Sequence, residues 1–286
     1  MCLSWNKLMF VALILSQVVW GFSYGNDQGP NSVVAKINGK SIYYKDIKVD
    51  PELLRPALGD VNDARLESEV HRCQLRRLAG KIHEVIFEQK VRELGLTVSE
   101  KEVDARVEEL FQKAEMTDEK ANRLLQSIQS LYEALAAWQR NPSLGDAIYN
   151  EKLRGSLISK EQWKMFQVCC DTPEKLEKLF VPKSIADMKR SSRESSRRDV
   201  LAKKLMDVVT KDVSVGPEEV EAAYIKKYGH LSKKPTLEEV RDELGVELLR
   251  QKKDEAMKLW WRERYKEAQI EIKDERFAGV TAILNK

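Results

Sequence analysis

Val33-Val34-Ala35-Lys36-Ile37-Asn38-Gly39-Lys40-Ser41-Ile42-Tyr43-Tyr44 reads as a β-hairpin that opens the mature fold. Val33, Ala35 and Ile37 alternate with other residues, and Ile42 and Tyr43 follow. Asn38-Gly39 between them suits a two-residue type I′ turn, in which both central residues need positive φ. Two strands alone are marginal in water, so the hairpin needs more strands or a helix to lie on. The rest of the chain must supply that cover.

Upstream, residues 1–25 have the parts of a secretory signal: Lys7, an apolar run from Leu8 to Trp20, then small residues at Gly21, Ser23 and Gly25. The run is shorter than the roughly 20 residues of an ordinary bilayer span. Cleavage after Ser23 or Gly25 is the expectation, with an uncleaved anchor as the alternative. Cys2 lies at the wrong end of the signal to be a lipidated first residue. The expected product is therefore exported, periplasmic or otherwise extracytoplasmic, with no integral membrane span after cleavage.

Charged residues make up 33% of the chain with nearly balanced signs, so a net charge of +3 does not mark a nucleic-acid binder. Hydrophobic residues make up 42% and recur at helical spacing, which argues against disorder. Cys73, Cys169 and Cys170 remain after signal removal. An oxidising compartment permits a bridge from Cys73 to Cys169 or Cys170 with one thiol left over, and three small, partly buried thiols are the alternative. No spacing resembles a zinc site or a Cys-x-x-Cys motif, and no cofactor is expected.

After turn-forming Pro51, Pro56 and Gly59, a long helix is expected from about Ala64 to Leu94. Leu75, Leu78, Ile82, Val85, Ile86 and Val91 fall near one face, and Gly95 ends it. Ser99 with Glu102 forms a capping box for the next helix, whose stripe is Val103, Val107, Leu110 and Phe111. Residues 118–182 read as helical but irregular, broken at Asn141-Pro142 and Thr172-Pro173. The basic, serine-rich run from Lys189 to Arg198 reads as a solvated helix face or linker. Gly216-Pro217 and Thr236 with Glu239 start two more helices, the second reaching about Lys266. Ala268-Gln269-Ile270-Glu271-Ile272 then alternates as a short strand, a natural third partner for the hairpin. His71 and His83 lie on different faces of the first long helix, and they and His230 read as solvated or hydrogen-bonded surface residues.

The order of these pieces resembles the SurA and PrsA class of extracytoplasmic folding factors. The resembling stretches are the Val34–Gly39 hairpin, Ile86 through Ser99 with its following Glu-Val, and Thr236-Leu237-Glu238-Glu239-Val240 through Ile272. The resemblance implies a helical chaperone core made from N- and C-terminal segments, often with a parvulin prolyl isomerase domain inserted between the Tyr224 and Thr236 helices. Only Lys226 to Pro235 occupies that point, too few residues for such a domain.

The expected fold is mainly α with a small antiparallel β-sheet, the N-terminal hairpin pairing with the C-terminal strand. Its expected parts are a signal (1–25), an N-terminal part of the core (26–117), a helical middle or arm (118–198) and a C-terminal part (199–286). The expected activity is ATP-independent holding of unfolded or newly exported polypeptides in an apolar groove, by a monomer or a homodimer. Candidate groove residues are Trp138, Trp163, Met165, Phe166, Trp260 and Trp261, with core packing as the bland alternative. Trp260 and Trp261 point about 100° apart on their helix, so one of the two can line a groove while the other packs. A prolyl isomerase with an unrecognised site and a dedicated envelope assembly subunit are the competing readings.

Overall fold

The computed structural model describes residues 31–284 except 52, 53, 59, 60, 178, 180 and 232, so the signal-like segment 1–25 lies outside the described residues. Three strands, β1 (Val33–Ile37), β2 (Lys40–Tyr43) and β3 (Ile270–Ile272), form one antiparallel sheet in the order β2-β1-β3. The helices of five or more residues are α1 (Asp63–Glu93), α2 (Glu100–Lys113), α3 (Asp118–Arg140), α4 (Lys160–Cys169), α5 (Pro173–Glu177), α6 (Ile185–Ser191), α7 (Arg193–Val209), α8 (Pro217–Tyr228), α9 (Leu237–Glu267) and α10 (Val280–Leu284). The protein is mainly helical, as its sequence patterning implies.

Asn38 and Gly39 adopt φ of 47° and 85°, the geometry of the I′ turn. Asn38 also joins the two ends of the chain. Its amide donates to the Gln269 carbonyl at 3.0 Å, its Oδ1 accepts from the Gln269 amide at 2.8 Å, and its Nδ2 donates to Gln89 Oε1 at 2.7 Å. Beside it β1 pairs with β3, Ile37 opposite Ile270 and Ala35 opposite Ile272. The strict alternation expected of β1 breaks at Val34, which is fully buried next to Ala35 because the ladder slips between Val33 and Ala35. The Val34 carbonyl there accepts from the amides of Lys273 and Asp274.

This sheet lies on α1. Val34, Ala35, Ile37 and Ile42 share one core with Leu78, Ile82, Val85 and Ile86 of α1 and with Phe277, Val280 and Leu284 from the C-terminus. The beginning and end of the described chain thus close a single core. Leu94 caps α1 and Gly95, with φ of 63°, ends it in a Schellman motif: the Gly95 amide donates to the Arg92 carbonyl and the Leu96 amide to the Val91 carbonyl. The boxes at Ser99 and Thr236 both form.

The other cores follow chain order. Val103, Val107 and Phe111 of α2 pack on Leu124 and Ile128 of α3 and on Met188 of α6. The second half of α3 packs with α4, α5 and the irregular stretch between α3 and α4, which includes a π-helical turn at Tyr149–Leu153. A small separate cluster of Val220, Val240 and Leu244 joins α8 to the start of α9. Cys73, Cys169 and Cys170 are all free thiols. Burial pushes the Cys169 and Cys170 thiols up to about 11 and about 12, which keeps them protonated and unreactive at neutral pH.

Candidate functional site

Helix α1 has two useful faces. Leu78, Ile82, Val85 and Ile86 look into the core, while Arg76, Arg77, Gly80, His83, Glu84 and Phe87, spaced three or four apart, look into a trough. One wall is α7, through Arg198, Asp199, Ala202 and Leu205, and the other is α9, through Met257 and Trp261. The central cavity is about 580 Å³ and mostly apolar. A second hollow of about 350 Å³ shares Gly80, His83 and Trp261 with it and runs toward Tyr265 and Ile283. A third, of about 320 Å³, shares Glu84, Phe87 and Arg198 and runs toward Val91 and Leu201. The three hollows lie in a row along α1, with the Arg198–Glu84 pair common to the first and third and His83 and Trp261 common to the first and second.

The floor has a specific low point. Gly80 sits in mid-helix, and a Cβ there would meet no atom within 4 Å. Glycine in a helix interior costs roughly 0.5–1 kcal/mol relative to alanine. Phe87 and Met257 are half-buried and belong to none of the packed cores, so their apolar surface serves the trough. Trp261, by contrast, both lines the trough and packs on the end-closing core. Its ring lies 4.0 Å from His83, centroid to centroid, and the His83 Nδ1 is 2.6 Å from the Tyr265 hydroxyl. Burial pushes the His83 imidazole down and the Tyr265 phenol up, so at neutral pH the pair is uncharged.

The α7 wall carries a row of ion pairs beside its buried Leu205. Arg106 donates to Asp199 at 2.9 Å, Lys204 pairs with Glu102 at 2.6 Å, and Arg198 pairs with Glu84 at 2.9 Å. Arg193 pairs with both Glu100 and Asp104, and Arg197 with Glu100. The basic run is therefore a helix face, one of the two forms that its composition suggests, and its cations are ion-paired, chiefly to α2, rather than merely solvated. The Lys204 hydrogen bond, with those from the Ser99 amide and hydroxyl, holds Glu102 down at about 2. At Glu84 burial pushes the carboxyl up, but the Lys81 hydrogen bond and the charges of Lys81, Arg198 and Lys40 outweigh it, leaving it below its usual range.

Of the six aromatic and methionine residues expected to form a groove, only Trp261 lines the trough. Trp163 and Phe166 are 1% and 0% exposed, and Trp138 and Met165 pack against the same core around α3 and α4. The Trp163 indole donates to the buried Gly145 carbonyl at 3.2 Å, as a tryptophan sealed in a core must find a partner. These four lie in a different core from Trp261. Trp260 turns the other way, its ring edge-on to Trp261 at 4.9 Å and 5.4 Å from the Arg264 guanidinium. Gly80, His83, Phe87 and Met257 are the lining residues missed by sequence reasoning. Phe87 carries the one available signal: an aromatic one position past Ile86, outside the core stripe.

A family model described as a SurA-like N-terminal domain matches residues 4–162. The chain belongs to that family. No curated protein and no solved structure matches it. The SurA-like segment contains the hairpin, α1, α2 and α3, and hence the whole trough floor, whereas α7 and α9, the trough walls, lie beyond it. The turn from α8 to α9 spans only residues 229–236, closed by the Tyr224 hydroxyl donating to the Pro235 carbonyl at 2.7 Å. No described helix is long and apolar enough to cross a membrane, and no described cluster of His, Cys, Asp and Glu could hold a metal ion.

Proposed function

We propose that this SurA-like protein is an ATP-independent chaperone of the periplasm that holds unfolded or newly exported polypeptides in the trough along α1. Its product would be delivered folding-competent to the cell envelope, and outer-membrane proteins are the client class that the family suggests. The observation that carries this reading is a row of open hollows along α1 whose exposed surface is mostly apolar and whose lining side chains Phe87 and Met257 belong to none of the packed cores. Extended, non-native chains expose apolar side chains at short intervals, and a channel with adaptable methionine and aromatic walls takes many of them without one exact fit. Binding is driven by apolar burial, and the charged rim of Arg76, Lys81 and Asp199 keeps the empty channel soluble.

The experiment is suppression of aggregation of several chemically denatured proteins, without nucleotide, by the mature chain and by Phe87→Ser/Met257→Ser. The mature chain should keep the clients in solution, and the double variant should lose most of that activity with little change in melting temperature. Failure of the unaltered chain across all clients, or full activity in the variant, contradicts the reading.

A further inference from the structure

On the α3–α4 body, away from the trough, a hollow of about 420 Å³ lies between the middle of α3 and the loop that leaves the π-helical turn. Its polar lining is Arg123, Gln126, Ser127 and Ser130 from α3, Lys152 from the π-helical turn, and Arg154 and Ser156 from the loop, and no carboxylate lines it. The two sides are pinned together by the Leu157 amide donating to Ser127 Oγ, and Gly155, at φ of 86°, makes the turn that brings Arg154 and Ser156 round to face α3.

Most donors of this pocket are unspent. Gln126, Ser130, Lys152 and Arg154 have no side-chain hydrogen bond or ion pair among the described residues, and the Ser156 oxygen accepts from the Ile158 amide, leaving its own proton to give. Arg123 shares only an exposed pair with Glu119. Three cations, one of them shared with Glu119, and three neutral donors thus line two sides of a space that no carboxylate lines. Like charges gathered in a concavity repel one another, and an anion placed among them relieves that cost while accepting hydrogen bonds.

We propose that this pocket binds a phosphate group. A planar carboxylate presents two oxygens on one edge, while donors arranged on two facing sides suit a tetrahedral group with several anionic oxygens. At about 420 Å³ the hollow exceeds one phosphate and leaves room for a further polar moiety of about the size of glycerol or a sugar. A small soluble phosphate ester and the headgroup of an anionic phospholipid share this chemistry. The site is independent of the trough and of the chaperone reading.

The test measures binding of glycerol 3-phosphate by calorimetry and binding to phosphatidylcholine vesicles with and without phosphatidylglycerol by co-sedimentation, using the mature chain. Lys152→Gln/Arg154→Gln removes two exposed cations from the pocket, and Lys101→Gln/Lys226→Gln removes the same charge from exposed sites elsewhere. The pocket variant should weaken binding about tenfold or more while the control leaves it unchanged. That result with the soluble ester assigns a free phosphate ester; the same result only with phosphatidylglycerol vesicles assigns the lipid headgroup. Equal loss in both variants, no loss in the pocket variant, or no binding of either probe overturns the proposal. Matching melting temperatures of the two variants confirm that the fold is intact.

Discussion

Gly80→Leu separates stability from function in opposite directions. The position lies inside α1, where glycine is about 0.8–1 kcal/mol less favourable than alanine and leucine is close to alanine, so the substitution should stabilise the helix by about 0.7 kcal/mol. No atom lies within 4 Å of the added Cβ, so the start of the side chain meets no clash. For a chain of this size the melting temperature should rise by about 1–3 °C, and the folding equilibrium should shift about threefold. The same side chain projects into the trough beside His83, Phe87 and Trp261 and removes space that a client side chain would fill. Thermal unfolding followed by far-UV circular dichroism and aggregation suppression on the same preparations give the two readouts. Raised stability with reduced holding is the expected outcome; unchanged or improved holding by a well-folded Gly80→Leu would refute the assignment of the trough as the client site.

Three further outcomes follow from other parts of the molecule. Asn38→Gly keeps the left-handed turn and the backbone bond to the Gln269 carbonyl but loses the side-chain bonds to Gln269 and Gln89, and should cost about 1–3 kcal/mol in denaturant unfolding; Asn38→Ala should cost about 1 kcal/mol more for the strained φ, whereas no loss in either would mean that these side-chain bonds do not help to join the chain ends. Trp163→Ala should destabilise by about 3–5 kcal/mol and leave holding per folded molecule unchanged, since the residue is sealed from clients. For His83, whose folded value is depressed by burial, the unfolded chain binds the extra proton, so its contribution to stability is present above about pH 6.5 and is lost as pH falls. His83→Gln should flatten the stability profile between pH 7.5 and 5 and leave the loss below pH 4.5, where Glu102 and Glu109 titrate toward about 2, as it is in the unaltered chain.

What the sequence discloses here is the local chemistry. Asn38-Gly39, Gly95, Ser99 with Glu102 and Thr236 with Glu239 each act within a few residues, and each forms as its composition dictates. The pairing of β1 with β3 is long-range, yet it is legible because a short alternating strand at one end needs the open edge at the other. The partners of the basic run are not legible, because Arg193 and Lys204 say nothing about which acidic helix they meet. The trough is hidden for the same reason: its floor and walls come from segments more than a hundred residues apart, and Gly80 signals only an unfavourable helix residue. The aromatic cluster in residues 138–166 misled because size and polarity alone do not separate a buried tryptophan from a client-facing one; the Gly145 carbonyl that satisfies the Trp163 indole is a tertiary fact.

A photo-crosslinking amino acid at position 87, and separately at Met165, in the mature chain reports directly which surface a permanently unfolded client touches. Strong client adducts from position 87, few from position 165, and loss of the position 87 adducts when Gly80→Leu is added are the expected result. Equal labelling from both positions, or adducts from position 165 alone, would show that clients are held elsewhere.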